Sequence, residues 1–297
     1  MKTPVSASQE AANSPSGAVA SLRRTTWLLK RNPLSLAGLV FVLLVVVLAL
    51  AAPWIAPYDP KSLDITSEFQ PPSAQHWFGT NDIGMDVFSR VVWAARVDLV
   101  IATFGVALAI LVGTIIGAFS GFIGGWFDEV AMRLMDSQES FPSIILGIAM
   151  AAVLGPETRN VIIVLAVVNY PMYARLIRAQ MLSLRKAQFA EAARCTGASN
   201  LRIIFKHLLP NCLGPIYVQG SLNMGWAILL AASLSFIGLG TQMPQAEWGL
   251  EISRGARYVV TGEWWIAFFP GVAIFLTVLA FSLMGDGLQD VLDPKRR

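Results

Sequence analysis

The sequence predicts an all-α membrane protein of six transmembrane helices, with both termini in the cytoplasm. Three observations predict it. Hydrophobic residues make up 55% of the 297 and charged residues only 14%, with mean hydropathy +0.59; soluble domains carry about a quarter charged residues. The apolar residues are gathered into six runs, which a bilayer explains better than one large soluble core. The 22 basic residues divide unevenly between alternate connecting segments. Only Lys61, Arg90, Arg96, Arg159, Arg254 and Arg257 fall on one face, and the rest on the other, an excess that marks the cytoplasmic side.

Residues 1–33 read as a cytoplasmic tail, rich in Ser, Ala and Pro and then basic at Arg23, Arg24, Lys30 and Arg31. The run 34–52 is the first transmembrane anchor. Ala49-Leu50-Ala51 resembles a signal-peptide cleavage site, but the run is about 19 residues, long enough to span and longer than a signal peptide's apolar core. Residues 53–96 form a periplasmic loop punctuated by Pro53, Pro57, Pro60 and Pro71-Pro72. Inside it, Gly79 and Gly84 permit tight turns, and Asp82 and Asp86 can cap a helix that starts near Val87.

Residues 97–287 form a core of five further helices. The second span covers 97–119. Gly113, Gly117 and Gly121 recur every four residues along it, a spacing that lets helices approach closely. Gly121-Phe122-Ile123-Gly124-Gly125 turns the chain at its inner end. The third span, 141–155, is short, and 128–140 extends it as a helix on the inner side. The fourth covers 161–176, and Asn169-Tyr170-Pro171 marks a kink where proline frees a carbonyl.

The inner loop 187–211 is basic. Ala187 to Cys195 are good helix formers, Glu191 sits near the start where the helix dipole favours it, and Gly197 can end the helix. A second apolar patch, Leu201, Ile203, Ile204 and Phe205, leads to a stop at Pro210. A short helix at a membrane surface suits a partner's groove; an ordinary solvated loop is the alternative.

The fifth span is 213–239. Gln219, Asn223 and Trp226 share one of its faces. Polar groups at membrane depth need protein or water, so this face either lines a path or packs against a partner. The outer loop 240–264 holds Glu247, Glu251, Arg254 and Arg257, with Glu251 and Arg254 spaced to pair on one helix face. It either receives a soluble protein or caps a pore. The sixth span is 265–284, and 288–297 is a cytoplasmic tail.

Several chemistries lack their residues. No Gly-x-x-x-x-Gly-Lys-Ser/Thr occurs, so the chain has no phosphate-cradling loop. Cys195 has His207 in its loop but no third group, and no catalytic residue is assigned. Cys195 and Cys212 fall in or beside the basic loop, where a cytoplasmic setting disfavours a disulfide, and His76 and His207 fall on opposite faces, so no metal cluster assembles from them. Nucleic-acid binding would want a basic cluster interleaved with aromatics. An ion-driven transporter would want buried carboxylates, and Asp98, Asp128 and Asp286 lie near span ends. An intramembrane enzyme would want a catalytic pair at depth.

Glu191-Ala192-Ala193, Gly197 and Leu208-Leu209-Pro210, with His207 and Asn211, resemble the EAA loop of ABC-importer permeases. Residues 77–90 resemble the Gly-Thr-Asp…Gly-Arg-Asp…Ser-Arg signature of the dipeptide, oligopeptide and nickel permeases. Two positions depart from it, Asn81 for Asp and Met85 for Arg. Ser233–Gly240 with Glu247-Trp248-Gly249, and Gly285-Asp286-Gly287-Leu288, resemble the same family. The likeness covers nearly all of 30–297 and is nearest the second permease subunit of dipeptide and D,D-dipeptide importers.

The resemblance implies a type I importer permease fold in the bacterial inner membrane. It implies ATPase coupling through Glu191, Ala192, Ala193, Gly197, His207 and Pro210. It implies a periplasmic signature at Gly79, Asp82, Gly84, Asp86 and Arg90, and a translocation path to which Gln219, Asn223 and Trp226 are the candidates. No cofactor is expected in this chain; ATP and Mg would be bound by two partner ATPases. The other expected partners are a second, different permease, a periplasmic or lipid-anchored binding protein, and membrane lipid. The expected cargo is a short peptide, with nickel or another small solute as the alternative.

Overall fold

In the computed structural model the described residues are 33–292, so the tail before Pro33 and the last residues of the C-terminal tail lie outside them. The described chain is helical. Its elements are α1 (Pro33–Ile55), a 3-10 turn (Ile65–Ser67), α2 (Val87–Ile123), α3 (Gly125–Glu139), α4 (Ser143–Leu154), α5 (Thr158–Leu184), α6 (Gln188–Cys195), α7 (Asn200–Arg202), a π-helical stretch (Ile203–Leu208), α8 (Leu209–Phe236), α9 (Trp248–Gly255) and α10 (Trp265–Leu292). Four of them, α1, α2, α5 and α10, are long and apolar enough to cross a membrane. The α3–α4 pair passes the same test together, bent by 91°. Helix α8 has 28 residues, roughly 42 Å of helix, but Gln219 and Asn223 lower its hydropathy.

Helix α2 begins at Val87, where the sequence reading placed a capped start, because the Asp86 carboxylate accepts from Ser89 N (2.8 Å) and Ser89 Oγ (2.7 Å). Other boundaries differ from the sequence reading. The third span is not one helix: Pro142 disfavours helical backbone at Phe141, and the chain breaks between Glu139 and Ser143. Pro210 does not stop the inner loop. It lies at the second position of α8, directly after the π-helical stretch, and the chain stays helical from Asn200 to Phe236. Helix α10 continues through residues assigned to the tail, to Leu292.

The most extensive helix pair is α2 against α5. Gly113, Gly117 and Gly121 face it, as their spacing predicts. A Cβ on Gly117 would sit 2.2 Å from the Ala174 carbonyl oxygen, and one on Gly121 2.6 Å from Met181 Cβ. Neither contact can be accommodated without parting the helices. Gly117→Ala is therefore expected to destabilise the fold by about 1–3 kcal/mol. Gly214→Ala, where nothing lies within 4 Å, serves as the neutral control. Thermal unfolding of the purified chain compares them, and equal melting would refute the close approach.

Pro171 explains how α3 is held. A proline at this position cannot donate to the Val167 carbonyl one turn back. Gln138 Nε2 donates to that carbonyl instead, at 2.7 Å. Arg175 bridges Asp136 and Glu139, and Arg178 grips both Asp128 oxygens. Helix α3 is thus tied to α5 along its length, and the kink marker of the sequence is a docking point for a neighbouring helix.

The two ends of the bundle are distinct. Residues 56–86 and 237–264 fold together over one end, where Trp265 Nε1 at the start of α10 donates to the Thr80 carbonyl. Helix α10 therefore finishes at the opposite end. There Gly287 lies against Ser35, so the first turn of α1 is beside the last turns of α10. Both ends of the described chain share that face with α6, since Arg185, just before α6, donates to the Gly121 carbonyl at the end of α2.

Candidate coupling surface, polar face and outer cap

The candidate coupling segment, 187–211, is an amphipathic hook. Ala190 and Ala193 of α6 are buried in a cluster with Ala118, Ile177, Met181, Ile203, Ile204 and Leu208. Glu191 and Ala192 are exposed on its other side. Gly197 has φ 79° and ends the helix, with Ala198 N donating to the Ala193 carbonyl (3.1 Å) and Gly197 N to that of Arg194 (2.9 Å). Ser199 then caps the next turn through Arg202 N. His207 is half-buried, and its carbonyl accepts from Asn211 Nδ2 at 2.7 Å; Pro210 is exposed. Of the six residues singled out by the loop pattern, Ala193 alone is buried, and it faces the bundle. The π-helical stretch is a rare form that is frequent at functional sites. Phe189, Leu201 and Phe205 are 43%, 58% and 46% exposed on this hook, apolar surface of the kind that marks a docking site.

The polar face of α8 splits three ways. Asn223 is buried and donates to Asn169 Oδ1 (3.2 Å) and Tyr173 OH (3.0 Å) of α5. Gln219 is half-buried. Trp226 is partly exposed and lines a groove of about 300 Å³ at the α3–α4 bend, with Gln138, Glu139, Ser143 and Asn169. Sequence reasoning missed Tyr173 and Gln138 as members of this region. Pro171 was the available signal for Gln138, because a freed carbonyl asks for a donor.

The cap formed by residues 56–86 and 237–264, the outer loops of the sequence reading, is organised on Arg90, which is fully buried. Its Nε and Nη2 donate to Glu251 Oε1 at 2.8 and 2.5 Å. The other donors reach the carbonyls of Pro60, Pro244 and Gln245 and the sulfurs of Met85 and Met243. The expected Glu251–Arg254 pair does not form: Arg254 Nη2 instead holds both oxygens of Asp82 at 2.8 Å. Asp82 is thus a cross-link to α9 and not a helix cap. Asp86 is the cap, and it also meets His76 Nδ1 at 2.9 Å. Gly79 and Gly84 both have positive φ, and a Cβ on Gly84 would strike the Asp64 carbonyl at 1.7 Å. At the two departures from the signature, Asn81 Oδ1 braces the turn by accepting from Ile83 N and Met85 N. Asn81 Nδ2 has no hydrogen-bond partner among the described residues, so only the atom shared with aspartate is used. Met85 puts its sulfur 3.1 Å from Arg90 Nη1.

The sequence reading found no buried carboxylate in the spans, and the structure corrects this. Asp98 is 0% exposed. It accepts from Trp248 N at 3.1 Å and lies against the carboxyl of Glu247, the cap of α9, whose oxygens accept from Gly249 N and Leu250 N. Burial pushes the Glu247 carboxyl above its usual range. The pair sits under the outer cap, which folds over Asp98 through residues some 150 positions away. A tertiary closure of this kind leaves no trace in the local pattern.

Residues 113–297 match the model for the binding-protein-dependent transport system inner membrane component, and residues 21–72 match the N-terminal TM domain of oligopeptide transport permease C. The chain belongs to this inner membrane component family. It is 44% identical to the Probable D,D-dipeptide transport system permease protein DdpC of Escherichia coli (strain K12), over 92% of this chain and 91% of the relative. It is 42% identical to the dipeptide transport system permease protein DppC of Alkalihalophilus pseudofirmus, over 94% and 92%. Glutathione transport system permease protein GsiD of Escherichia coli is 42% identical over 90% and 88%. A chain of the inward-facing MetNI methionine ABC transporter shares the fold with TM-score 0.52 at 20% identity, covering 69% of this chain and 96% of that one. The permease is an inner-membrane transport component rather than a catalytic enzyme, and its helices fit a multi-pass membrane protein.

Proposed function

We propose that this permease is the second transmembrane subunit of an ATP-driven importer of short peptides. The observation that carries the reading is the hook at α6–α7. It is an exposed, apolar-tipped helix on the face shared by both ends of the described chain, and it holds the residues that match the EAA loop. The names of the dipeptide relatives support the peptide cargo over nickel. A soluble binding protein delivers the peptide from outside. Two ATPases bind ATP and Mg, close, and push on the hook through Glu191, Ala192 and Gly197, with His207 and Pro210 behind it. Helices α2 to α10, paired with a second and different permease, then open to alternate sides.

The proposed topology has six spans: the four apolar helices, the bent α3–α4 pair, and α8. Helix α8 tolerates Gln219 and Asn223 because it is enclosed by α2, α5 and α10. Both termini are cytoplasmic, residues 56–86 and 237–264 are periplasmic, and 187–211 is the ATPase-facing loop. The groove beside Trp226 belongs to the path, with Gln219 along the same face and Asn223 holding α8 to α5. The Gly79–Arg90 signature holds the periplasmic cap that meets the binding protein.

The test is reconstitution in proteoliposomes with the second permease, two ATPases and the binding protein. ATP-dependent uptake of labelled dipeptide is expected, with no ATPase activity from this chain alone. Uptake of nickel but not peptide would move the cargo to the alternative, and robust turnover by the single chain would refute the whole assignment.

A further inference from the structure

At the outer end of α2 a second cavity, of about 390 Å³, has no place in the scheme above. It is lined by Lys61, Trp93, Arg96, Val97 and Val100, with Thr158 and Gln245 at its polar rim. Two properties set it apart. Its cations have no carboxylate: among the described residues neither Lys61 nor Arg96 enters an ion pair, and Arg96 lies over the Trp93 ring at 5.9 Å. Its floor is apolar and continues. From Val100, 42% exposed, a strip of outward-facing side chains runs down α2 through Phe104 (60%), Leu108 (37%), Leu111 (57%) and Ile115 (43%). The steps of three and four residues keep them on one helix face.

We propose that this cavity is a binding site for an anionic phospholipid. The lipid phosphate sits between Lys61 and Arg96, its ester and headgroup oxygens reach Thr158 and Gln245, and one acyl chain lies on the α2 strip. A soluble anion would use the cations and leave the strip bare. An acidic protein surface would not follow an apolar helix face toward the membrane centre. Only a molecule with a charged head joined to a hydrocarbon tail satisfies both parts. Trp93 fits the same place, since tryptophan gathers at the membrane–water boundary. Basic residues are scarce on this face, so two without partners ask for an anion from elsewhere. Each cation near a lipid surface favours an anionic headgroup by roughly fivefold, or on the order of 25-fold for the two together.

The assembled importer, purified in a neutral detergent, provides the test. Its melting temperature is read after adding phosphatidylglycerol, phosphatidylcholine or free glycerol phosphate, for the wild type and for Lys61→Gln/Arg96→Gln. Phosphatidylglycerol is expected to raise the wild-type melting temperature well above phosphatidylcholine, glycerol phosphate to do nothing, and the double variant to erase the difference. Both residues are at the surface, so the variant keeps its fold, and its melting temperature without lipid checks this. Equal shifts from both lipids, or a difference that survives in the variant, overturn the proposal. A full shift from glycerol phosphate overturns it in favour of a free-anion site. If the variant instead loses stimulation by the binding protein while the two lipids act alike, the patch is a protein dock and the lipid reading fails.

Discussion

Arg90→Met is expected to destabilise the outer cap by about 3–5 kcal/mol, because it strands Glu251. Glu251 is 1% exposed and the Arg90 guanidinium is its only ion-pair partner among the described residues. With arginine gone, a carboxylate stays buried and the carbonyls of Pro60 and Gln245 lose their donor. The loss falls on three segments at once, since Arg90 joins α2 to residues 60, 244–245 and 251. The double change Arg90→Met/Glu251→Gln is expected to recover part of it, as it removes the unpaired charge. Limited proteolysis of 56–86 and thermal unfolding measure both variants. A single variant that melts with the wild type would show that water reaches Glu251 and that the cap is looser than its geometry.

What the sequence made legible follows the range of each rule. Asp86 as a cap depends on three residues, and Gly113, Gly117 and Gly121 as a contact face depend on helix periodicity alone. Both stand in the structure as read. The Glu251–Arg254 pairing used an equally local rule and failed, because Arg90, 161 positions away, competes for Glu251 with a fully buried guanidinium. Once both groups are buried, the attraction between them is stronger than in an exposed pair along one helix, and parting them would leave a buried charge unpaired. Asp98 was placed near a span end, yet it lies about three turns inside α2. Its burial comes from α9 folding over it, through Trp248 and Glu247. Pro210 was read as a stop because proline breaks helix interiors, yet here it follows directly on a π-helical stretch and the chain stays helical past it. On α8 the periodicity located a polar face but could not say that Asn223 is bonded inward while Trp226 faces a groove. That division depends on Asn169 and Tyr173, which belong to another helix.

Gly197→Asp is expected to reduce transport more than tenfold while the chain still reaches the membrane. Two magnitudes separate these outcomes. A left-handed backbone costs a residue with a Cβ roughly 1–2 kcal/mol, and aspartate bears it better than most. Nothing lies within 4 Å of an added Cβ at Gly197, so the bundle is not disturbed and membrane levels should stay near normal. The same open space is where a partner's cleft would close over the hook. On the proposed coupling, a side chain and a negative charge there would meet the partner and no part of this bundle. Gly197→Asn separates backbone from charge, because asparagine adopts the left-handed region at small cost without the carboxylate. It is expected to keep more activity than aspartate. Co-purification of the ATPases with each variant, beside dipeptide uptake, reads the effect directly. Normal ATPase retention by Gly197→Asp would mean that the hook's exposed turn is not the contact, and the coupling role would then have to move to Phe189, Leu201 and Phe205.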